Sequence, residues 1–203
     1  MIILSSNQSS KKLVAVSFDT ATYHDLQCFV NEHDGYTLTR MDPEECLTTK
    51  RSVDVSYINL VVKDFKLRKQ ITQYLDDNDF DRFSLIHNQC YATSANIALG
   101  CVIYPMVTIY PSAVLQRDVI VHTFTVISHQ SKIDVGGVIN GMTCIAGSTS
   151  IGEFTQIGLG AIIYDNISIV ANTIIGAGTM VRKNILTSGT YVGQTKNKLV
   201  KIK

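Results

Sequence analysis

Residues 121–151 read VHTFTVISHQSKIDVGGVINGMTCIAGSTSI, and a branched aliphatic residue falls on every sixth position: Val121, Ile127, Ile133, Ile139, Ile145 and Ile151. Followed outward in both directions, the same phase holds from Ile97 through Ile103, Ile109 and Leu115, and on through Ile157, Ile163, Ile169 and Ile175 to Val181. That is fifteen consecutive hexads without an insertion. Two residues before most of these positions stands a small or β-branched residue, as at Ala113, Thr125, Ser131, Gly137, Thr143, Thr149, Thr155, Ala161, Thr173 and Thr179. Both positions therefore point inward. Strands of a sandwich recur at about 8–12 residues with varied loops and cannot hold a six-residue phase for this long. A prism can, if each of its three faces takes one hexad per coil and eighteen residues close a turn. Coils then stack at the β spacing of roughly 4.8 Å, and the aliphatic side chains form ladders along the axis.

Before residue 90 the pattern is different. Residues 12–17 (KLVAVS) read as a short apolar strand and residues 24–33 (HDLQCFVNEH) as an amphipathic helix. Gly35 and Tyr36 read as a stop before a second strand running to Met41. Residues 55–62 (VSYINLVV) read as a buried strand, 66–75 (KLRKQITQYL) as a helix with a charged outer face, and 83–87 (FSLIH) as a final strand. Strands alternating with helices over such a length predict a small parallel α/β sheet of Rossmann type. The expected fold class is thus an α/β Rossmann-like domain over residues 1–90, followed by an all-β parallel β-helix over residues 91–203. After Val181 the phase stops, and Arg182, Lys183, Lys196, Lys198, Lys201 and Lys203 form a basic tail. That tail reads either as a cap blunting the open edge of the last coil or as a docking surface for phosphates.

The 203 residues carry 45% apolar content, enough for a genuine core, and a formal net charge of +1, which gives no bulk attraction to nucleic acid or an anionic membrane. Five cysteines, Cys28, Cys46, Cys90, Cys101 and Cys144, are scattered without a C-x-x-C pair or zinc-like spacing, and are expected to be buried thiols in a reducing compartment. The first residues turn polar from Ser5 to Lys12 and no long apolar run follows, so the expected address is cytoplasmic, with no membrane insertion and no metal. The stretch 139–150 holds no charged residue, and a prism exposing such faces needs a partner to cover it.

The unbroken hexads resemble those of the left-handed β-helix acyltransferases. The order of the two halves is similar to that of the bacterial sugar acetyltransferases, which include sialic-acid O-acetyltransferases and N-acetyltransferases of UDP-4-amino sugars. The resemblance is carried by Leu67-Arg68-Lys69, Leu85-Ile86-His87, Val126-Ile127-Ser128-His129-Gln130, Gly176-Ala177-Gly178 and Tyr191-Val192-Gly193. It implies a homotrimer using acetyl-CoA, with His129 as general base, since an attacking amine or hydroxyl must lose a proton and imidazole titrates near the working pH. The family has an acidic residue after that histidine; here Gln130 can orient the ring but supplies no charge. Many relatives carry a further histidine where this chain has Val138. The resemblance places acetyl-CoA contacts at Gly147, Gly158, Leu159 and Ala177, mostly through backbone groups, with the Gly147 amide facing the thioester carbonyl. His122 falls where relatives often have asparagine lining the acceptor pocket, and it is a candidate acceptor contact or alternative base.

The family's glycine-rich turn after the first strand has no counterpart, because residues 17–24 (SFDTATYH) lack glycine. In its place, hydroxyls of Ser17 and Thr20, the carboxylate of Asp42 and the ammonium of Lys63 are the candidate contacts to a nucleotide-sugar acceptor. N-acetylation of a nucleotide-linked amino sugar is the leading expectation, since a neutral amine demands least of the base. O-acetylation of sialic acid or a related sugar and a catalytically degenerate trimeric scaffold remain as alternatives.

Overall fold

A computed structural model describes residues 2–5, 12–18, 30, 36–194 and 198–202. The helix expected over 24–33 and the candidate Thr20 lie outside the described residues, Val30 excepted. The chain divides into two compact units, one made of residues 1–87 with 99–101 and the other of 88–98 with 102–203.

In the first unit β2 (Lys12–Val16), β3 (Thr37–Met41) and β4 (Val55–Asn59) form a three-stranded parallel sheet in the order β3-β2-β4. The central strand is an apolar run with Leu13, Val14, Ala15 and Val16 all buried, as expected of a parallel strand covered on both sides. A short helix, α1 (Pro43–Cys46), follows β3. Helix α2 (Phe65–Asp77) begins at Asp64, whose carboxylate accepts the Leu67 amide hydrogen at 2.9 Å, an N-cap that satisfies one orphan donor. It buries Arg68, Ile71, Thr72 and Leu75, one stripe at 3.6-residue spacing.

Arg68 is fully buried, and its charge is tolerated because Nη1 donates to the carbonyls of Asn59 at 2.9 Å and Val61 at 3.2 Å. Asn59 returns the contact, its Nδ2 donating to Arg68 O at 2.9 Å and to Thr72 Oγ1 at 3.1 Å. These bonds fix α2 against the carboxyl end of β4. Strand β5 (Phe83–Ile86) meets the three-stranded sheet in the expected parallel sense, but its main partner is a strand the sequence reading did not include. It pairs antiparallel with β1 (Ile2–Ser5), a strand the polar flank of the N-terminus hid, and reaches the three-stranded sheet through a single bridge between Tyr57 and Arg82.

The second unit is a parallel β-solenoid, consistent with the left-handed β-helix that the hexads predict. Two-residue strands recur every six residues and pair with the strand eighteen residues on, so that Val121 stacks on Ile139 and Ile139 on Ile157. Three such stacks make three faces. The inward aliphatics from Ile103 to Val181 are buried, while Ile97 at the open end is half-buried. Each enclosed side chain contributes roughly 1.5–3 kcal/mol of hydrophobic burial.

The second inward position carries hydroxyls that are satisfied by a repeating bond to a corner carbonyl fifteen residues ahead. Thr125 donates to Asn140 O at 3.1 Å, Ser131 to Ala146 O at 2.9 Å, Thr149 to Tyr164 O at 3.0 Å and Thr155 to Val170 O at 3.2 Å. Every sixth residue from Ser94 to Gly178 has a positive φ between 50° and 84°, and eleven of these fifteen are not glycine. Glycine content therefore gave no signal for the corners. The offset departs from eighteen at the two ends: Tyr91 pairs with Thr108, seventeen residues on, while Ile169 bridges Ile185 and Ile175 pairs with Tyr191, each sixteen residues on.

The basic tail contributes a hairpin, Gly189–Gln194 with Lys198–Lys201, whose first strand continues the stack on Thr173–Ile175. Among the described cysteines, Cys46 and Cys101 are buried, Cys90 is intermediate and Cys144 is exposed, which corrects the expectation of uniformly buried thiols. Cys144 stands immediately before inward Ile145, and alternation along a strand turns it out to solvent. Burial pushes the Cys46 and Cys90 thiols up to about 11. Among the described residues no helix is long and apolar enough to cross a membrane.

Candidate active site

Each corner of the solenoid spans four residues between two strands, and its second and third places repeat a hydrogen-bonding pattern. The third residue, at positive φ, donates its amide hydrogen to the carbonyl of the second residue one coil earlier, as Ser148 does to His129 O at 3.0 Å and Asn166 to Gly147 O at 3.0 Å. The coil uses that second carbonyl but asks nothing of the second amide. Pro105 and Pro111, which have no amide hydrogen, stand at this place, as do His129, Gly147, Leu159 and Ala177. The amides of Gly147, Leu159 and Ala177 donate to no described residue.

One corner column runs Pro111, His129, Gly147, Asp165. His129 is exposed on it, with Nδ1 3.3 Å from Oε1 of the neighbouring Gln130, itself exposed and at φ +58°. Gly147 lies one coil on, and a Cβ built there would fall 2.7 Å from Cε1 and 2.8 Å from Nε2 of the His129 ring. The three residues chosen from sequence are thus brought together: imidazole, its amide partner and the glycine.

The remaining candidates of this unit lie on a different corner, separated from His129 by one face whose outward residues include Val126, Cys144 and Ile162. There His122, Asn140 and Gly158 share one column, and Thr123, Gly141, Leu159 and Ala177 the next. Leu159 and Ala177 are exposed, but Gly158 is buried and its amide donates to Ile175 O at 2.8 Å. A Cβ on Gly158 would meet backbone atoms of residues 175–177 at 2.5–2.6 Å, so this glycine is there to let coils approach. His122 is half-buried and stacks on Tyr104, with ring centroids 4.7 Å apart and planes at 23°. Tyr104 escaped the sequence reading, although its offset of eighteen residues from His122 marks it as the neighbour in the stack. Val138 is buried on its face.

In the first unit Ser17, Asp42 and Lys63 follow the carboxyl ends of the three parallel strands. Ser17 is buried, its amide hydrogen bonded to Met41 O at 3.1 Å and its carbonyl accepting from Arg40 Nη1 at 2.9 Å. The carboxylate of Asp42 accepts the Glu44 amide hydrogen at 2.9 Å and so caps α1. Lys63 is exposed. Arg40, a cation fixed beside the Ser17 loop, was not singled out from sequence because it sits in the middle of a strand pattern. No group of three or more His, Cys, Asp or Glu that could hold a metal ion occurs among the described residues.

No protein-family model matches the sequence. Among solved structures, the acetyltransferase domain of PglB from Neisseria gonorrhoeae matches over 95% of this chain and 100% of its own, at a TM-score of 0.80 and 21% identity. The same domain has been solved in complex with acetyl coenzyme A. PerB from Caulobacter crescentus, in complex with CoA and GDP-perosamine, matches over 93% of this chain and 97% of its own, at 0.80 and 20% identity. WeeI from Acinetobacter baumannii matches over 93% and 99%, at 0.53 and 13%. At these identities the likeness is one of fold, and it runs through nearly the whole chain.

Proposed function

We propose that the protein is an acetyl-CoA-dependent acetyltransferase that acylates the amino group of a nucleotide-linked amino sugar, with His129 as general base. The observation that carries this reading is the His129 imidazole, exposed at a solenoid corner with Nδ1 facing Gln130 Oε1 and the ring against Gly147. It is supported by the fold shared with acetyltransferases solved with acetyl-CoA, or with CoA and GDP-perosamine.

With Nδ1 protonated and donating to Gln130, Nε2 holds the lone pair. The acceptor amine attacks the thioester carbonyl carbon, Nε2 takes the ammonium proton as the C–N bond forms, and the C–S bond breaks to release CoA, whose thiolate recovers a proton. The open amide of Gly147 donates to the developing oxyanion. Open amides at Leu159 and Ala177 serve the cofactor, while Gly158 keeps their coils in close approach. Residues 91–203 act as the transferase, a left-handed β-helix with a basic cap. Residues 1–90 act as a Rossmann-like acceptor domain, in which Ser17, Thr20 and Lys63 contact the acceptor, Arg40 joins them, and Asp42 orders the loop through its cap. His122 on Tyr104 contacts the acceptor sugar. The working assembly is a cytoplasmic homotrimer.

The test is to incubate the protein with acetyl-CoA and a panel of UDP-, dTDP- and GDP-linked 4-amino sugars plus free sialic acid, following thiol release. Release is expected with at least one amino sugar, and His129→Ala should lower it by about 10²–10⁴-fold. Release with sialic acid alone would assign O-acetylation instead. Silence across the panel, with no thermal shift by acetyl-CoA, would leave the inactive scaffold.

A further inference from the structure

We propose that Gly147 is a positioning residue for His129: its missing side chain is the space in which the imidazole lies, and this space sets where Nε2 points. The inference rests on the transferase reading of the same corner.

The backbone does not ask for glycine at this place. Gly147 is absent from the positions of positive φ, and the neighbours in its column, Pro111, His129 and Asp165, all carry a Cβ. Gly152 and Gly141, by contrast, answer to backbone. A Cβ on Gly152 would meet Ala171 N at 2.4 Å, and one on Gly141 would meet Thr123 O at 3.0 Å. At Gly147 the three nearest atoms all belong to the His129 ring: Cε1 at 2.7 Å, Nε2 at 2.8 Å and Nδ1 at 3.2 Å. The nearest collisions of a methyl group there are with the exposed end of one side chain, not with the backbone of the coil. The ring, not the solenoid, must give way. As it swings it loses both the approach of Nδ1 to Gln130 Oε1 and the aim of Nε2.

Gly147→Ala separates this role from the others the residue could have. Alanine keeps the backbone amide, so an oxyanion contact through N–H survives the change. Expected are an unchanged thermal midpoint, an unchanged KM for acetyl-CoA and a kcat lower by about 100-fold, the size of loss that a misplacement near 1 Å produces. Ring ¹⁵N shifts of His129 should move from the Nδ1–H tautomer toward a mixture of the two. In a His129→Ala background the methyl has room, so adding Gly147→Ala should change neither the melting temperature nor the acetyl-CoA thermal shift.

Unchanged kcat together with unchanged ring shifts would overturn the proposal and leave Gly147 as an amide donor. A raised KM with intact kcat would overturn it in favour of a cofactor-packing role. If the wild type transfers acetyl to no acceptor, the transferase reading falls, yet the ¹⁵N comparison still decides whether Gly147 sets the ring.

Discussion

Gly136 and Gly147 both stand at solenoid corners, and a methyl group meets an aromatic ring at each. Gly136 has φ +68°, and its Cβ would lie 2.3 and 2.5 Å from ring carbons of Phe154, which is itself only 7% exposed and has nowhere to go. Gly136→Ala should therefore lower stability by roughly 2–4 kcal/mol through overpacking and backbone strain, read as a fall in the denaturation midpoint. A midpoint within experimental error of wild type would show that the Phe154 ring is free to swing after all. His129 was legible in the sequence because a motif surrounds it. The partners that give it geometry were not all legible, since Gly147 was chosen for its amide and its closeness to the ring emerges only when coils are stacked. Asp42, read as a candidate acceptor contact, also caps a helix through its carboxylate, a local role that the sequence reading did not assign to it.

At the scale of the element, the two-residue strands are too short to be stable singly, and their worth lies in the ladders they build. Ile145 sits in mid-stack with neighbours Ile127 and Ile163, whereas Ile97 ends its ladder half-exposed. Ile145→Ala should cost about 2–5 kcal/mol, and Ile97→Ala markedly less, in urea unfolding followed by circular dichroism. Equal costs would contradict the ladder account. Exposed corners offer the opposite change. Ser112 holds φ +63°, a conformation that asparagine tolerates better, and Ser112→Asn should raise stability by about 0.5 kcal/mol in the same assay. The solenoid was readable in advance because a six-residue period has one structural meaning. The pairing of strand β5 was not, because a run as short as Phe83-Ser84-Leu85-Ile86 fits a parallel or an antiparallel neighbour equally well, and the pairing with β1 is decided by a distant segment.

For the molecule as a whole, two thermodynamic outcomes follow. A ligand that binds the folded chain at about 100 times its dissociation constant adds about 2.7 kcal/mol to apparent stability, so acetyl-CoA should raise the melting temperature by a concentration-dependent amount. The second concerns alkaline pH. Burial raises the folded Cys46 thiol to about 11 from an ordinary 9.0, so between these values the unfolded chain binds fewer protons than the folded one and stability declines as pH rises. The thiol's contribution is intact below 9 and disappears through 11. Destabilisation by Cys46→Ala, measured as a difference from wild type, should accordingly shrink across that window, and a constant difference would mean the thiol titrates normally. Native-state labelling with a thiol reagent should modify Cys144 well before Cys46 or Cys101.

The unbroken phase from Ile97 to Val181 has a last consequence, for how such a body changes length. One added residue within a face between those points would turn the isoleucine that follows it to the outside, and the slip at Tyr91 stands where few coils depend on it. Descendants of this chain can therefore lengthen by whole coils of eighteen residues, or by excursions that leave and re-enter at a single corner, but not by small steps within a face.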